Sequence, residues 1–211
     1  MKVVSLFQDI DKEDVNKMLK CFDAKKIHYK KDRTILSNVS NNTKFGIILN
    51  GSANVIRVDY NGVRSIIERL ETNSIFGGPL YNSFNNELSI VATSDSEVLE
   101  FDYSHIINRC KKNCICHAKI LDNMLQILAN KVAMNNEKIL ILSKKSIREK
   151  LLEYFKTKAY NAGSKSFKMD LTLTDLADYL SIDRSAMMRE IKNLKNDGFI
   201  EIINKKVYLY F

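Results

Sequence analysis

The chain has 211 residues, with 33 basic side chains against 25 acidic ones and a formal net charge of +8. Apolar residues make up 45% and charged residues 27%, which is ordinary for a globular protein and argues against a fibrous or disordered chain. No apolar run approaches the ~18 residues that cross a bilayer. The N-terminal segment reaches an acidic residue, Asp9, too early to be a secretory signal. We therefore expect a cytoplasmic protein with reduced cysteines and no membrane segment.

Residues that favour turns are concentrated in the first half of the chain. Five of the seven glycines and the only proline lie within the first 80 residues. A short helix is expected at 11–21, and the pair Asn61-Gly62 indicates a hairpin. Period-two stretches predict strands at 44–51, 53–60, 63–67, 88–93 and 97–101. Short strands at this spacing predict a small β-barrel or roll.

The middle of the chain has helical periodicity. A 4,3 spacing predicts a long helix with a heptad seam beside a second apolar stripe. A helix buried within one chain is the alternative, but we favour a dimer because a 3.5-residue repeat over three heptads exceeds what burial requires. The polar residue in the seam, Asn135, could fix the register of the pair. The predicted dimer interface is Leu121, Leu125, Leu128, Val132, Asn135, Ile139 and Leu142, and the second stripe is Ile120, Met124, Ile127, Met134 and Ile141.

Charge is concentrated in the last third of the chain. Residues 143–211 contain 14 basic and 9 acidic side chains, a net of +5. This bias makes the last third the candidate nucleic-acid-binding module.

Two short helices joined by a tight turn are predicted there. Thr172 and Asp175 have the spacing of a capping box at the start of the first helix. Asp183 is placed to cap a second helix over 184–196.

A terminal β-hairpin over 199–211 follows, after a helix-ending Gly198. Two helices, a turn and a hairpin predict a winged helix-turn-helix, whose second helix enters the major groove of DNA. A helical hairpin inside an enzyme domain is the less favoured alternative. On the second helix Met187, Ile191 and Leu194 are expected to face inward, and Arg184, Ser185, Met188, Arg189 and Lys192 outward.

Three segments together resemble the Crp/Fnr family of bacterial transcription regulators, over nearly the full length of the chain. They are residues 45–53 in the barrel, 147–152 before the last third, and 172–189 in the helix-turn-helix. The resemblance implies an α+β fold made of a cyclic-nucleotide-binding-like β-roll, a long dimerisation helix and a winged helix-turn-helix. The implied domains are 1–110, 111–143 and 144–211. Ser181 stands where family members usually have glycine, at a turn that needs positive φ.

The resemblance implies a homodimeric regulator that reads a palindromic site on double-stranded DNA. RNA polymerase is a further expected partner if the protein activates transcription. Matching arginines of the family read guanines, whereas lysines of the helix and the wing are expected on phosphates. The expected DNA-binding residues are Thr172, Thr174, Arg184, Ser185, Met188, Arg189, Lys192, Lys205 and Lys206.

The expected effector pocket departs from the cyclic-nucleotide-binding members of the family. In those members a Gly-Glu pair contacts the ribose and an Arg-Ser pair holds the cyclic phosphate. Gly78 and Leu88 stand here in place of the acid and the arginine, so the strongest phosphate contact is missing. We therefore expect no cyclic AMP binding by this route and leave an unidentified effector open. The pocket candidates are Ile75, Phe76, Gly77, Gly78, Leu88 and Ser89.

Soft metal ligands cluster at the base of the long helix, at Cys110, Cys114, Cys116 and His117. Their spacing differs from that of common zinc sites, so we interpret them as packed structural residues and assign no metal. Thiol- or metal-dependent redox sensing through this cluster is the alternative function. An enzyme is the least favoured reading, because the chain has no phosphate-binding glycine loop, no nucleophile elbow and only three histidines.

Overall fold

The computed structural model describes residues 5–37, 43–81, 88–107 and 115–211. The chain divides into two compact units, one ending at Asn130 and one from Lys131 to Phe211. Within the described ranges, none of the helices is long and apolar enough to span a lipid bilayer.

The first unit is built from two four-stranded antiparallel sheets, with strand orders β1-β8-β3-β6 and β2-β7-β4-β5. The five predicted strands are confirmed with shifted ends, and β1, β2 and β6 were not predicted. The elements are α1 (Lys12–Cys21), β1 (Lys25–Tyr29), β2 (Thr34–Ser37), β3 (Lys44–Asn50), β4 (Ala53–Val58), β5 (Arg64–Leu70), β6 (Ile75–Gly77), a 3₁₀ turn (Gly78–Leu80), β7 (Leu88–Ala92), β8 (Ser96–Asp102), α2 (Ser104–Ile107) and α3 (Ile115–Leu142), the last of which continues past Asn130.

Strand alternation gives the first unit two apolar clusters. One contains side chains of both sheets, among them Ile48, Phe76 and Leu88, and is called here the inter-sheet core. The other contains Phe45, Ile47 and Phe101 together with side chains of α1 and α3. Successive residues of β3 therefore enter different clusters, as the period of two predicts.

The second unit is a three-helix core closed by a small sheet of order β10-β11-β9. It confirms the predicted winged helix-turn-helix, with one extra strand, β9, that was not predicted. Tyr154, Phe155, Leu176, Met187 and Leu194 are almost fully buried at its centre. Its elements beyond α3 are α4 (Ile147–Asn161), β9 (Ser166–Lys168), α5 (Leu173–Leu180), α6 (Arg184–Asn196), β10 (Ile200–Ile203) and β11 (Lys206–Leu209).

Ser181 makes the turn between α5 and α6 in the left-handed region, at φ 53° and ψ 53°. The amides of Ser181 and Ile182 donate to the carbonyls of Asp178 and Ala177, the paired bonds of a Schellman motif. The geometry that glycine usually supplies is thus kept with serine in its place.

Ser181→Gly is expected to raise the free energy of unfolding by about 0.5–1 kcal/mol, because glycine removes the Cβ strain of the left-handed region but adds backbone entropy. Urea unfolding of the full chain measures this gain. Ser181→Ala is the matched control: it keeps the Cβ and should give no gain, and an equal gain in both variants would contradict the assignment.

Candidate nucleic-acid interface and effector pocket

Helix α6 presents one buried face and one exposed face. Met187, Ile191 and Leu194 are 0%, 4% and 0% exposed, as predicted. Asp183 accepts a hydrogen bond from the Ala186 amide at 2.8 Å and so caps the helix. The predicted outward residues are all exposed: Arg184, Ser185, Met188, Arg189 and Lys192.

The basic side chains on the exposed face of α6 are not engaged with other side chains that the structure describes. Over the described parts of the chain, Arg184, Arg189 and Lys192 form no ion pair or side-chain hydrogen bond. Both arginines lie in the first two turns after the cap, where the positive end of the helix dipole also favours an anion. This end of α6 therefore combines exposed guanidinium groups with a fixed backbone.

Arg148 of α4 holds the other end of α6 in place. Its Nη1 lies 3.1 Å from Glu190 Oε1, its Nη2 lies 2.6 Å from Asp197 Oδ2, and its guanidinium stacks 5.1 Å from the Phe199 ring. The hydrogen bond to Asp197 raises the pKa of Arg148. This role of Arg148 was not predicted, because contacts 42 and 49 residues apart in the sequence leave no signal in local periodicity.

The hairpin turn between β10 and β11 carries lysine at its tip. Asn204 and Lys205 have φ of 48° and 64°, so two consecutive residues are left-handed as in a type I′ turn. Lys206 lies 5.1 Å over the Tyr208 ring. Thr172 and Thr174, at the start of α5, are exposed.

The cap of α5 differs from the prediction. Thr172 Oγ1 accepts from the Asp175 amide at 3.1 Å, but the Asp175 carboxylate accepts from the Thr172 hydroxyl rather than from its backbone amide. A full capping box instead joins Ser146 and Glu149 at the start of α4. Aspartate is one methylene shorter than glutamate, and it does not reach back to the amide here.

Helix α3 carries the two apolar stripes on different sides. In the seam, Leu125, Val132 and Ile139 are 69%, 57% and 64% exposed. Leu121 and Leu128 are half-buried, Leu142 is also partly exposed, and Asn135 is exposed. In the second stripe, Ile120, Met124 and Ile127 are buried among the side chains of the first unit, Ile141 is buried in the second unit, and Met134 is 52% exposed. A single chain thus leaves the centre of the seam uncovered.

The predicted effector residues are only partly brought together. Phe76 and Leu88 belong to the inter-sheet core, whereas Ile75 points into the other cluster. Gly77 has φ 147°, and a Cβ there would overlap the carbonyl oxygen of Lys44. Gly78 begins the 3₁₀ turn, and Ser89 is partly exposed. The residues immediately before Leu88 lie outside the described residues.

Two tyrosine–glutamate pairs lie at the inter-sheet core. The Tyr81 hydroxyl donates to Glu68 Oε2 and the Tyr29 hydroxyl to Glu100 Oε1, both at 2.7 Å. Burial raises the pKa of Tyr81 well above its ordinary value, and burial together with the Glu100 hydrogen bond raises that of Tyr29. Glu100 is 6% exposed, and Lys44 Nζ lies 3.5 Å from its Oε2. Strand alternation in period two gave no reason to expect carboxylates here.

The soft-ligand cluster gains no support as a metal or redox site. Cys110 and Cys114 lie outside the described residues. Cys116 Sγ lies 3.3 Å from Asp14 Oδ2, and His117 is buried with Nε2 2.7 Å from the Ile106 carbonyl oxygen. No group of three metal-ligating side chains occurs in the part of the chain that the structure describes.

Comparison with known proteins agrees with this geometry. Residues 26–113 match the cyclic nucleotide-binding domain family. A CooA mutant from Carboxydothermus hydrogenoformans superposes with a TM-score of 0.76 at 17% identity, covering 99% of this chain and 91% of the other. A transcriptional regulator of the Crp/Fnr family from Eubacterium rectale superposes with a TM-score of 0.63 at 15% identity, over 97% and 92% of the two chains. The chain has the fold of a Crp/Fnr-type transcription regulator.

Two relatives in sequence match this chain as well. The HTH-type transcriptional regulator ycf28 of Porphyra purpurea is 29% identical over 174 residues, 80% of this chain and 72% of that protein. Electron transport regulator A of Shewanella oneidensis is 25% identical over 96 residues, which are 43% of this chain and 38% of that protein. The second match spans less than half the length of the relative.

Proposed function

We propose that this chain is a homodimeric transcription regulator that reads an inverted-repeat operator with α6. The exposed basic face of α6 carries the proposal, since it combines a capped N-terminus with two uncommitted arginines beside a β-hairpin wing. A major-groove helix contacts base edges with its N-terminal residues. We assign 1–110 to sensing, 111–143 to dimerisation and 144–211 to DNA binding.

The side chains divide by the kind of contact they can make. Arg184 and Arg189 carry planar guanidinium groups, each of which can donate two hydrogen bonds to the O6 and N7 atoms of a guanine. Lys192, Lys205 and Lys206 are point charges suited to phosphate, which gives affinity without sequence information. Thr172, Thr174 and Ser185 supply hydroxyls at the two helix starts.

The dimer is inferred from the seam of α3. Leu125, Val132 and Ile139 are more than half exposed in the single chain, and their heptad spacing suits pairing with a second copy. Two-fold pairing would place the two copies of α6 on half-sites one helical turn apart, ~34–36 Å along the DNA.

Selection of binding sites from a random duplex pool with the full chain tests this function. An inverted repeat and a steep fall of affinity with salt are expected, because bound phosphates release counterions. Recovery of no inverted repeat would reject the proposal.

Arg189→Ala and Lys205→Ala are expected to change DNA binding in different ways. Arg189→Ala removes a guanidinium group that would bind guanine, so it should cost ~1–3 kcal/mol of discrimination at one base pair per half-site. Most of the non-specific affinity should remain. Lys205→Ala should weaken binding to all DNA sequences alike. It should also reduce the slope of log affinity against log salt concentration by about one per subunit. Salt titrations on the selected site and its single-base variants measure both. Unchanged base preference in Arg189→Ala would contradict its role.

Cyclic AMP is expected to change neither the melting temperature nor the DNA affinity. Gly78 offers no side chain to a ribose, and Leu88, buried in the inter-sheet core, leaves a cyclic phosphate without the charge-assisted contact of an arginine. Calorimetric titration of the full chain checks this expectation, and micromolar binding of cyclic AMP would overturn it.

A further inference from the structure

Met188 is an apolar side chain at the centre of a polar surface. It is 39% exposed, whereas the neighbouring Met187 is fully buried. It lies one turn after Arg184 and one turn before Lys192, so basic side chains flank it on both sides along the helix. An unbranched, polarizable methionine here offers apolar surface, where the rest of the face offers charges and a hydroxyl.

The acidic side chains nearest this face are already engaged. Asp183 accepts from the Ala186 amide at 2.8 Å. Glu190 accepts from Arg148 Nη1 at 3.1 Å and from Asn193 Nδ2 at 3.2 Å. A cytosine amino group would therefore have to compete with these internal hydrogen bonds for the carboxylates of α6 and its cap. The one apolar group that base pairs present in the major groove is the thymine methyl.

We propose that Met188 reads the methyl group of a thymine in each half-site, at a position between the base pairs contacted by Arg184 and Arg189. The inference rests on the proposed DNA-binding function and adds a base identity to it. Contact removes both methyl groups from water, and this gain is lost for any other base at that position.

Replacement of single thymines by deoxyuridine tests the inference, because the exchange deletes the methyl group and keeps every hydrogen-bonding atom. The probes are selected operator duplexes in which each thymine of one half-site is replaced in turn. One replacement is expected to weaken binding of the full-length wild type about fourfold, the value of one buried methyl group. The same replacement should have no measurable effect on Met188→Ala.

Two matched variants control for damage to the helix. Met188→Leu keeps an apolar side chain and should retain the methyl effect, and so should Asn196→Ala at the far end of the helix. Sequence-specific binding with no methyl effect in the wild type, or an equal effect in Met188→Ala, overturns the methyl contact alone. Absence of sequence-specific binding to any duplex overturns this contact and the proposed function together.

Discussion

Leu125→Glu is expected to convert the proposed dimer into monomers at micromolar concentration and to abolish the proposed operator binding. Leu125 is 69% exposed in the single chain, so the substitution leaves the core of each chain intact. In a paired seam it would bury two carboxylates against each other without partners. That penalty is several kcal/mol, enough to weaken dimerisation about 1000-fold.

Sedimentation equilibrium and gel-shift titration of the same samples measure the two effects. Gln126→Glu is the matched control, since it adds the same charge at the next residue, away from the seam, and should remain dimeric. A Leu125→Glu protein that still sediments as a dimer would show that the interface lies elsewhere. Equal melting temperatures of the two variants at low concentration would confirm that the folded monomer is undisturbed.

Gly46→Ala is expected to lower the free energy of unfolding by about 3 kcal/mol, the upper range of overpacking effects. Gly46 lies directly opposite Phe76 in the β3–β6 pair, and a Cβ at this position would overlap the ring. Phe76 is 1% exposed within the inter-sheet core, so the ring cannot make room by turning into solvent without leaving that core. The melting temperature should fall by roughly 10 °C.

A double-mutant cycle separates this clash from other causes. Phe76→Leu removes the ring, so Gly46→Ala should cost less in that background than in the wild type. Additive losses would contradict the assigned contact.

Features determined by neighbouring residues were predictable from the sequence. Helix α6 was located to the residue because Asp183 caps it, Gly198 follows its end, and the period of Met187 and Ile191 marks its buried face. The strands β6 and β9 were missed because each has three residues and depends on distant partners, β3 and β11, for its hydrogen bonds.

The interior polar contacts were not predictable for the same reason. Tyr29 reaches Glu100 across 71 residues of sequence, and Tyr81, which follows the 3₁₀ turn, reaches Glu68 of β5 across 13. Asn54 is fully buried, and its Nδ2 and Oδ1 have no hydrogen-bond partner among the described residues. Strand alternation alone gives no reason for an unpaired amide at that position.

Protein stability and the proposed DNA affinity make opposite demands on Lys205, at the tip of the β10–β11 hairpin. A left-handed lysine costs about 1–2 kcal/mol in backbone strain that glycine would relieve. Under the proposed function the same side chain supplies a phosphate contact that glycine would delete. A search for more stable variants would therefore favour the loss of this lysine, whereas a search for tighter operator binding would keep it. Residue 205 is thus a position where thermostability and operator affinity trade off within one side chain.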